Sequence, residues 1–294
     1  MKSETLIKDI LKSSKRALAE SSVFEPSLSA EALVLFALGL SKEELFANLN
    51  QKISQSEQKK IQRLIKQRKK HKPVSQIIGH VNFRGLTFFV NKNVLTPRQE
   101  TEFLVEETLG VIQKNLVQRP AFNVLDLGTG SGVIACTLAH ETRELKPRVE
   151  IFASDISFRA LKTARKNAEI NGLKELILFK RGNLFGPWQN KRFDIVVANL
   201  PYIPIGDASN IEKDVLDFEP KEALFSGKDG LDLYRVFLNK LPEYLSENGQ
   251  AILEISQGQG LKIKKIVHRV MPEYKCIIIK DLAKIDRIAI IYNS

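Results

Sequence analysis

The chain has 294 residues, of which 43% are hydrophobic and 27% charged, and its formal net charge is +11. This composition is typical of a globular protein that buries one large core, or a core and a smaller domain. The longest apolar run, ALVLFALGL at residues 32–40, is half of the roughly 18 residues that a membrane span requires, so we expect no membrane association.

The beginning of the chain and its two cysteines favour a cytoplasmic protein. Residues 1–20 contain no continuous apolar stretch of the kind found in secretory signals. Their amphipathic, lysine-rich pattern would also suit a transit peptide, but Glu4 and Asp9 favour an ordinary first helix. Cys136 and Cys276 lie in apolar stretches without metal-ligand spacing, which predicts buried reduced thiols and no metal site.

Residues 1–75 predict a small helical domain, because apolar residues recur there at helical spacing. Ser41-x-x-Glu44 and Ser54-x-x-Glu57 are capping-box patterns, in which each serine and glutamate satisfy backbone N–H groups at a helix start. They predict the beginnings of the third and fourth helices.

The densest positive charge lies at residues 59–72, KKIQRLIKQRKKHK, which hold eight Lys or Arg and no acidic residue. Such a stripe could contact RNA or an acidic protein surface. A solvated helix face explains the stripe equally well, so the three interpretations stay open.

Residues 76–95 predict a β-hairpin linker. VNFRGLTFFV, at residues 81–90, alternates around Gly85 in the manner of two short strands joined by a turn. Thr96 and Pro97 then predict an N-cap followed by proline at the first helical position, opening a helix through RQETEFLVEETLGVI.

From residue 122 onward, strand and helix patterns alternate. This alternation predicts an α/β fold with a mostly parallel sheet, helices on both faces and an antiparallel pair at one edge. The predicted strands are NVLDLG, RVEIFASD, ELILFKRG, FDIVVAN, GQAILEIS, KCIIIKDL and RIAIIYN, and the predicted helices are SGVIACTLAHE, SFRALKTARKNAEING and DLYRVFLNKLPEYL.

A glycine-rich turn, VLDLGTGSG at residues 124–132, joins a predicted strand to a predicted helix. Its glycines let the backbone approach a ligand closely and leave amide groups at the helix start. Alone this is a weak signal, and a nicotinamide cofactor would be a fair interpretation. The G-T-G-S-G spacing and Asp126 before the turn favour another cofactor. So does Asp155, which ends the next strand where a carboxylate can accept both hydroxyls of a ribose.

This arrangement resembles the S-adenosylmethionine site of class I methyltransferases. The resemblance implies that Asp126 and the glycine turn lie against the methionine moiety and that Asp155 binds the ribose. Asn183 and Leu184 would enclose the adenine. The alternative is a similar turn in an unrelated α/β fold. The implied cofactor is S-adenosyl-L-methionine, with S-adenosyl-L-homocysteine as product, and the implied binding residues are Asp126, Gly128, Thr129, Gly130, Ser131, Gly132, Asp155, Asn183, Leu184 and Asn199.

A second motif, NLPY, ends the buried strand FDIVVA. It resembles the (N/D/S)-P-P-Y motif of methyltransferases that act on planar nitrogens. The Asn199 side-chain oxygen and the Leu200 carbonyl would accept the N–H groups of an amide or exocyclic amine and draw its nitrogen toward tetrahedral geometry. Tyr202 would offer a face for stacking. The candidate catalytic residues are therefore Asn199, Leu200, Pro201 and Tyr202.

Leu200 departs from that motif, which has proline at this position. The main-chain carbonyl is kept, and Pro201 restricts Leu200 to extended geometry, so we expect the chemistry to survive. N-L-P-Y is also the form associated with rRNA adenine dimethyltransferases, and the motif alone therefore does not choose the substrate.

Three further segments carry a more specific resemblance. TPRQETE, at 96–102, is similar to PRPETE with Gln99 in place of proline. EISQGQ, at 254–259, is similar to E-x-G-x-x-Q with Ser256 in place of glycine, and FEPKEALFSGKDGLDLY follows the NLPY motif. Together with a helical domain in front, which rRNA adenine dimethyltransferases carry behind, these segments resemble the protein-(glutamine-N5) methyltransferases of peptide chain release factors, the PrmC or HemK family.

The family resemblance implies a Rossmann-like, seven-stranded sheet and three parts: a helical substrate-docking domain at 1–75, the hairpin linker at 76–95 and the methyltransferase domain at 96–294. The implied substrate is the glutamine of the Gly-Gly-Gln loop of release factors. A monomer that forms no stable nucleic-acid complex is expected, with the basic front domain meeting the factor.

Thr96, Arg98 and Glu100 are expected to line the mouth of the cofactor and substrate site, although a helix cap and a first-turn charge are the simpler explanations for Thr96 and Glu100. Two alternative functions remain. A nucleic-acid amino-methyltransferase would bind RNA or DNA tightly and with strong salt dependence. The second alternative is a non-enzymatic binding module whose NLPY site has lost its catalytic function. The presence of Asn199 and Tyr202 argues against it.

Overall fold

A computed structural model describes residues 5–115, 122–146 and 148–293. These residues form two compact units: a helical unit, made of the residues up to His80 together with Asn210–Glu219, and a sheet unit, made of the remainder. In chain order the elements are α1 (Ile7–Ala19), α2 (Pro26–Leu38), α3 (Lys42–Ala47), α4 (Gln55–Arg68), α5 (Val74–Ile78), β1 (His80–Phe83), β2 (Leu86–Phe89), α6 (Glu100–Asn115), β3 (Phe122–Leu127), α7 (Val133–Thr142), β4 (Val149–Asp155), α8 (Phe158–Ile170), β5 (Ile177–Arg181), β6 (Phe193–Ala198), α9 (Lys213–Phe218), α10 (Asp232–Tyr244), β7 (Leu245–Glu254), α11 (Gly260–Val270), β8 (Tyr274–Lys280) and β9 (Asp286–Asn293).

The helical unit has an apolar core of its own, contributed mainly by α1, α2 and α4. Leu18, Leu33 and Ile61 are fully buried there. Burying such a side chain stabilises the fold by roughly 1.5–3 kcal/mol, and this packing, rather than intrinsic propensity, holds short helices together. No helix of the described ranges is long and apolar enough to span a bilayer.

Both predicted capping boxes are confirmed. The Ser41 side chain accepts the Glu44 N–H at 3.1 Å, and the Glu44 carboxylate accepts the Ser41 N–H at 2.7 Å. Ser54 and Glu57 repeat the arrangement at the start of α4. Each box satisfies two backbone N–H groups that the helix itself leaves without partners.

One member of the basic stripe is not solvated. Arg68, at the end of α4, is 2% exposed and donates hydrogen bonds to the Phe24 carbonyl and the Ser29 hydroxyl. Its guanidinium also forms an ion pair with Asp214 of α9. The Gln76 side chain donates to the Phe218 carbonyl at 2.8 Å. Together with the Arg68–Asp214 ion pair, this bond holds the segment 210–219 in the helical unit near both ends of α9.

The sheet unit has the predicted α/β fold. Its described strands form a seven-stranded sheet in the order β5-β4-β3-β6-β7-β9-β8. The strands from β5 to β7 are parallel, whereas β9 runs antiparallel to both of its neighbours, as the sequence predicted for that edge. Alternate residues of β3 and β6 enter two separate apolar cores, so both faces of the central strands are buried.

The strand order reverses between β3 and β6, which lie side by side with Asp126 paired to Val197. In an open α/β sheet, ligands bind beyond the carboxyl ends of the strands at such a reversal. The glycine turn follows β3 and the NLPY motif follows β6. The topology therefore places the two motifs next to each other.

Several local expectations need correction. The helix α6 begins at Glu100, and Thr96 does not cap it, because residues 95–98 have no helical structure. The helix α11, absent from the prediction, packs Ile263 and Val267 into the core. Cys136 is buried as expected, but Cys276 is only half-buried. The hairpin is confirmed as the β1–β2 sheet, and the domain boundaries at 75 and 95 stay predictions.

Candidate active site

A cavity of about 610 Å³ lies at the carboxyl edge of the sheet. It is lined by the turn after β3 and by the ends of β4, β5 and β6. Ten of the predicted site residues contribute to its wall, namely Gly128, Thr129, Gly130, Ser131, Asp155, Asn183, Leu184, Asn199, Leu200 and Pro201. Three others, Asp126, Gly132 and Tyr202, are not part of the described lining.

The turn after β3 needs glycine at two positions for different reasons. Gly128 has φ +80°, and a Cβ added there would come within 2.9 Å of Leu200 Cδ2. Gly132 has φ +81°, and its added Cβ would lie 3.0 Å from the Cβ of Ala164 in α8. Positive φ strains any other residue, and the close contacts add to that cost. The glycines thus let β3, the NLPY motif and α8 approach one another.

Asp126 lies fully buried beneath the turn. Its Oδ2 accepts the Thr129 hydroxyl at 2.6 Å and the Ala135 N–H at 3.1 Å. Among the buried carboxylate oxygens of the described residues, its Oδ1 is the one without a hydrogen-bond donor. Burial raises the pKa of Asp126 to about 7, and the nearby charge of Asp155 adds to this, although the two hydrogen bonds oppose it.

Asp155 ends β4 and faces the cavity. Its Oδ2 accepts the Gly130 N–H at 2.9 Å, and its Oδ1 accepts the Ser157 N–H at 2.8 Å. Each carboxylate oxygen keeps a further lone pair for a ligand hydroxyl. Burial raises the pKa of Asp155, and the two backbone bonds oppose the rise. The group is thus fixed in place with acceptor capacity to spare.

The cavity wall also includes Asn183, Leu184 and a residue that the sequence analysis missed, Ile156. Ile156 is 61% exposed although it is large and apolar. An exposed isoleucine at a cavity wall can cover one face of a planar ring. Its position directly after Asp155 was the signal that could have identified it.

The NLPY motif is held from behind by a hydrogen-bonded cluster around Glu254. The Asn199 Nδ2 donates to Thr101 Oγ1 at 3.2 Å, and the Thr101 hydroxyl donates to Glu254 Oε2 at 2.9 Å. The Tyr202 hydroxyl donates to Glu254 Oε1 at 3.0 Å. Burial and the charge of Glu254 raise the pKa of Tyr202, so its hydroxyl keeps its proton. Thr101 and Glu254 are site residues that the sequence analysis did not assign.

The segments that carried the family resemblance also contact this loop. The Gln259 side chain donates to the Tyr202 carbonyl at 2.8 Å and accepts the Ser256 N–H at 3.0 Å. Ile203 pairs with the segment after FEPKEA, since its N–H donates to the Leu224 carbonyl at 2.9 Å. These bonds fix the main chain of the NLPY loop.

The three residues expected at the mouth of the site, Thr96, Arg98 and Glu100, differ in whether they line the cavity. Arg98 lines the cavity as expected. Thr96 is 6% exposed, and its hydroxyl oxygen has no hydrogen-bond partner among the described residues. Neither Thr96 nor the exposed Glu100 is part of the described lining, so a place for these two at the mouth of the site stays a prediction.

The fold and the paired motifs define a class I S-adenosylmethionine-dependent methyltransferase. Family models agree with this class: that of the PrmC N-terminal domain matches residues 9–79, and that of the methyltransferase small domain matches residues 105–219.

Full-length relatives specify the family. The release factor glutamine methyltransferase of Thermodesulfovibrio yellowstonii is 35% identical over 266 residues, which cover 90% of this chain and 92% of the relative. That of Geobacter sulfurreducens is 35% identical over 282 residues, covering 96% and 95%. The chain belongs to the release factor glutamine methyltransferase family.

A solved structure supports the fold alone. The hMettl16 catalytic domain, in complex with MAT2A 3′UTR hairpin 1, aligns with a TM-score of 0.53 at 13% identity. The alignment covers 71% of this chain and 75% of that one.

Proposed function

We propose that this protein transfers a methyl group from S-adenosylmethionine to the side-chain amide nitrogen, N5, of the glutamine in the Gly-Gly-Gln loop of peptide chain release factors, and so modulates translation termination. The observation that carries the proposal is the position of Asn199 and Leu200. Both line the cavity, and Leu200 lies against Gly128 of the cofactor turn. An amide bound by these two residues is therefore next to the cofactor.

The cavity fits the cofactor. Asp155 has acceptor capacity for ribose hydroxyls, and Ile156, Asn183 and Leu184 offer an apolar wall with one polar group for a planar base. The unpartnered oxygen of Asp126 places negative charge beneath the glycine turn, which favours a cationic ligand there. When bound, S-adenosylmethionine supplies a methyl group made electrophilic by its sulfonium.

The protein orients the glutamine amide and supplies no general base. The Asn199 side-chain oxygen and the Leu200 carbonyl accept the two N–H groups of the glutamine amide. Accepting both bonds aims the nitrogen lone pair and favours the tetrahedral geometry that develops during transfer. The amide nitrogen would become acidic only as the methyl group is transferred, and its proton would then pass to water, so no side chain has to remove a proton beforehand. Pro201 holds Leu200 extended, and the stacking role of Tyr202 stays a prediction.

The helical unit supports a protein substrate. Its α4 and the residues directly after it present the exposed basic residues of the 59–72 stripe, namely Lys59, Lys60, Arg63, Lys66, Lys69 and Lys70. Positive charge of this kind favours docking on an acidic surface. We assign this surface to the release factor, outside its Gly-Gly-Gln loop. The nucleic-acid alternative is not favoured, since the full-length relatives are named release factor glutamine methyltransferases.

The test is a methyl-transfer assay with purified release factor and labelled S-adenosylmethionine, followed by mass spectrometry to locate the methyl. Asn199→Ala and a factor whose Gly-Gly-Gln glutamine is replaced serve as controls. One methyl on that glutamine, absent in both controls, supports the proposal. Label in ribosomal RNA or DNA, with none in the factor, contradicts it.

A further inference from the structure

We propose that Glu254, acting through Thr101, sets the orientation of the Asn199 amide, so that its oxygen and not its nitrogen is presented to the substrate. This inference rests on the proposed function, and it assigns Glu254 and Thr101 as positioning residues. The observation behind it is an unbroken chain of hydrogen bonds from Glu254 Oε2 to Thr101 Oγ1, at 2.9 Å, and on to Asn199 Nδ2, at 3.2 Å.

In this series of hydrogen bonds the donor and acceptor roles are fixed, starting from Glu254. This carboxyl group ends β7 and is 1% exposed. Its two oxygens receive hydroxyl groups from opposite sides, one from Thr101 and one from Tyr202. Burial raises the pKa of Glu254, while these two bonds and the charge of Arg287 oppose the rise. Both hydroxyl groups donate to this carboxyl group, one to each oxygen, so both hydroxyl protons are directed at it.

The donor and acceptor roles at Thr101 also determine which end of the Asn199 amide faces it. A threonine hydroxyl has a single proton, and that of Thr101 is directed at Glu254. Thr101 Oγ1 can therefore only accept from its second partner. Only the nitrogen of the Asn199 amide can donate, so Nδ2 is turned to Thr101 and Oδ1 to the other side. Without this constraint, an asparagine amide could rotate by half a turn, because its two ends are nearly the same size.

The same strand end also holds the second acceptor. The fully buried Tyr234 hydroxyl donates to the main-chain carbonyl of Glu254 and accepts the Leu200 N–H at 3.4 Å. The Glu254 side chain thus orients the Asn199 oxygen, while its main-chain carbonyl, through Tyr234, contacts the N–H of Leu200, the residue whose own carbonyl is the second acceptor. Glu254 is therefore linked, through Thr101 and through Tyr234, to both residues that supply the acceptors for the substrate amide.

Acceptor orientation predicts a specific discrimination. An acceptor pair binds the –NH₂ of glutamine but repels the carboxylate of glutamate, which has no proton to donate. A rotated Asn199 would present Nδ2, a donor, beside the unchanged Leu200 carbonyl, and the preference for glutamine over glutamate would fall. The ratio of affinities for glutamine and glutamate thus reports the orientation of Asn199, which a merely structural role of Thr101 would not change.

The experiment compares three variants of the full chain. Thr101→Val keeps the shape of the side chain but removes both hydrogen bonds, and Thr101→Ser restores the hydroxyl. Thr108→Val is the matched control, because Thr108 is fully buried on the same helix and donates to the Leu104 carbonyl at 2.7 Å. For each variant, kcat and KM are measured with release factor. Calorimetry with S-adenosylhomocysteine present gives the affinities for the factor and for its Gln→Glu form.

For Thr101→Val we expect kcat to fall by roughly 10- to 100-fold, and the preference for glutamine over glutamate to fall by about tenfold or more. Thr101→Ser should recover both quantities to within about threefold, and Thr108→Val should keep the wild-type preference. An unchanged preference in Thr101→Val overturns the inference, as does an equal loss in Thr108→Val or a failure of serine to restore it.

Failure of the proposed function gives a different result. If the wild-type enzyme transfers no methyl group to the factor, the proposed function is wrong, but the binding preference can still be measured because it needs no turnover. If the wild type methylates the factor and Thr101→Val keeps its rate and preference, only the positioning role is wrong. If neither form of the factor binds, both proposals are contradicted.

Discussion

The side chain of Leu200 lies directly against Gly128, so that a Cβ on Gly128 would come within 2.9 Å of Leu200 Cδ2. These two residues follow neighbouring parallel strands, β3 and β6, and one belongs to each motif. The contact joins the cofactor turn to the substrate acceptors. A change at either residue should therefore affect both binding events.

Gly128→Ala should lower both stability and the affinity for the cofactor. The alanine would have to adopt φ +80° and displace Leu200, and each cost, of order 1 kcal/mol, destabilises the folded chain. Where the turn shifts to relieve this strain, it leaves the position that lines the cavity, and we expect a roughly tenfold or greater rise in Kd for S-adenosylmethionine. Calorimetry and thermal melting measure the two effects.

Gly110→Ala is the matched control for this substitution. Gly110 lies inside α6, and an added Cβ would meet nothing within 4 Å, so alanine should stabilise the protein by about 0.5–1 kcal/mol. Cofactor affinity should not change. Equal Kd values for Gly128→Ala and the wild type would mean that the turn can relax without moving the cofactor site.

Leu200→Pro creates the N-P-P-Y form of the motif. Proline keeps the carbonyl, replaces the buried leucine side chain by a smaller apolar ring, and removes an N–H whose bond to Tyr234, at 3.4 Å, is long. We therefore expect kcat/KM to stay within about tenfold of the wild type. Steady-state kinetics with release factor provides the measurement. A larger loss, with the protein still folded, would show that the N–H or the buried leucine side chain positions the carbonyl.

Local patterns predicted much of this molecule. The capping boxes, the alternating strands and the two motifs all depend on residues close together in the chain, and the topology that brings Asp155 and Asn199 to one cavity follows from the parallel order of the strands. The helix α11 could also have been predicted, since Ile263, Ile266 and Val267 have helical spacing.

The remaining features depend on pairings between distant residues. Thr101 lies in α6, Asn199 directly follows β6 and Glu254 ends β7, and nothing in their local sequence specifies that one hydroxyl joins them. In the same way, Arg68 reads as one more basic residue until Asp214, far along the chain, is seen beside it. The sequence predicts the start of α6 too early. The local Thr-Pro pattern favours a helix cap at Thr96, but residues 95–98 are not helical, and several of them line the cavity.

Cofactor affinity should depend on pH through Asp126. Burial, and then the charge of Asp155, raise the pKa of this carboxyl group to about 7. Below that pH the group is neutral, and above it the negative charge attracts a cationic ligand. Affinity for S-adenosylmethionine should therefore rise with pH up to about 7, by at most tenfold per pH unit, and then level off.

The same shift has the opposite effect on stability. A carboxyl pKa that is raised by folding favours the folded state at low pH, and this contribution is lost as the pH rises through about 7. Asp126→Asn should remove both trends, whereas Asp9→Asn, at an exposed position of α1, should keep them. A pH-independent Kd for the wild type between pH 5.5 and 8 would exclude this role for Asp126.

The helical unit should depend strongly on Asp214. This carboxylate faces the Arg68 guanidinium, whose side chain is only 3% exposed, and it also accepts a contact from His71 at 3.3 Å. Asp214→Ala leaves the arginine buried without its counter-charge, which typically costs roughly 3 kcal/mol or more. Lys66→Ala, on the exposed face of the same helix, should cost no more than about 0.5 kcal/mol. Urea unfolding of the full chain, with hydrogen exchange of α4 to localise the effect, measures both. Similar stabilities for the two variants would mean that water or a neighbouring group replaces Asp214 beside Arg68.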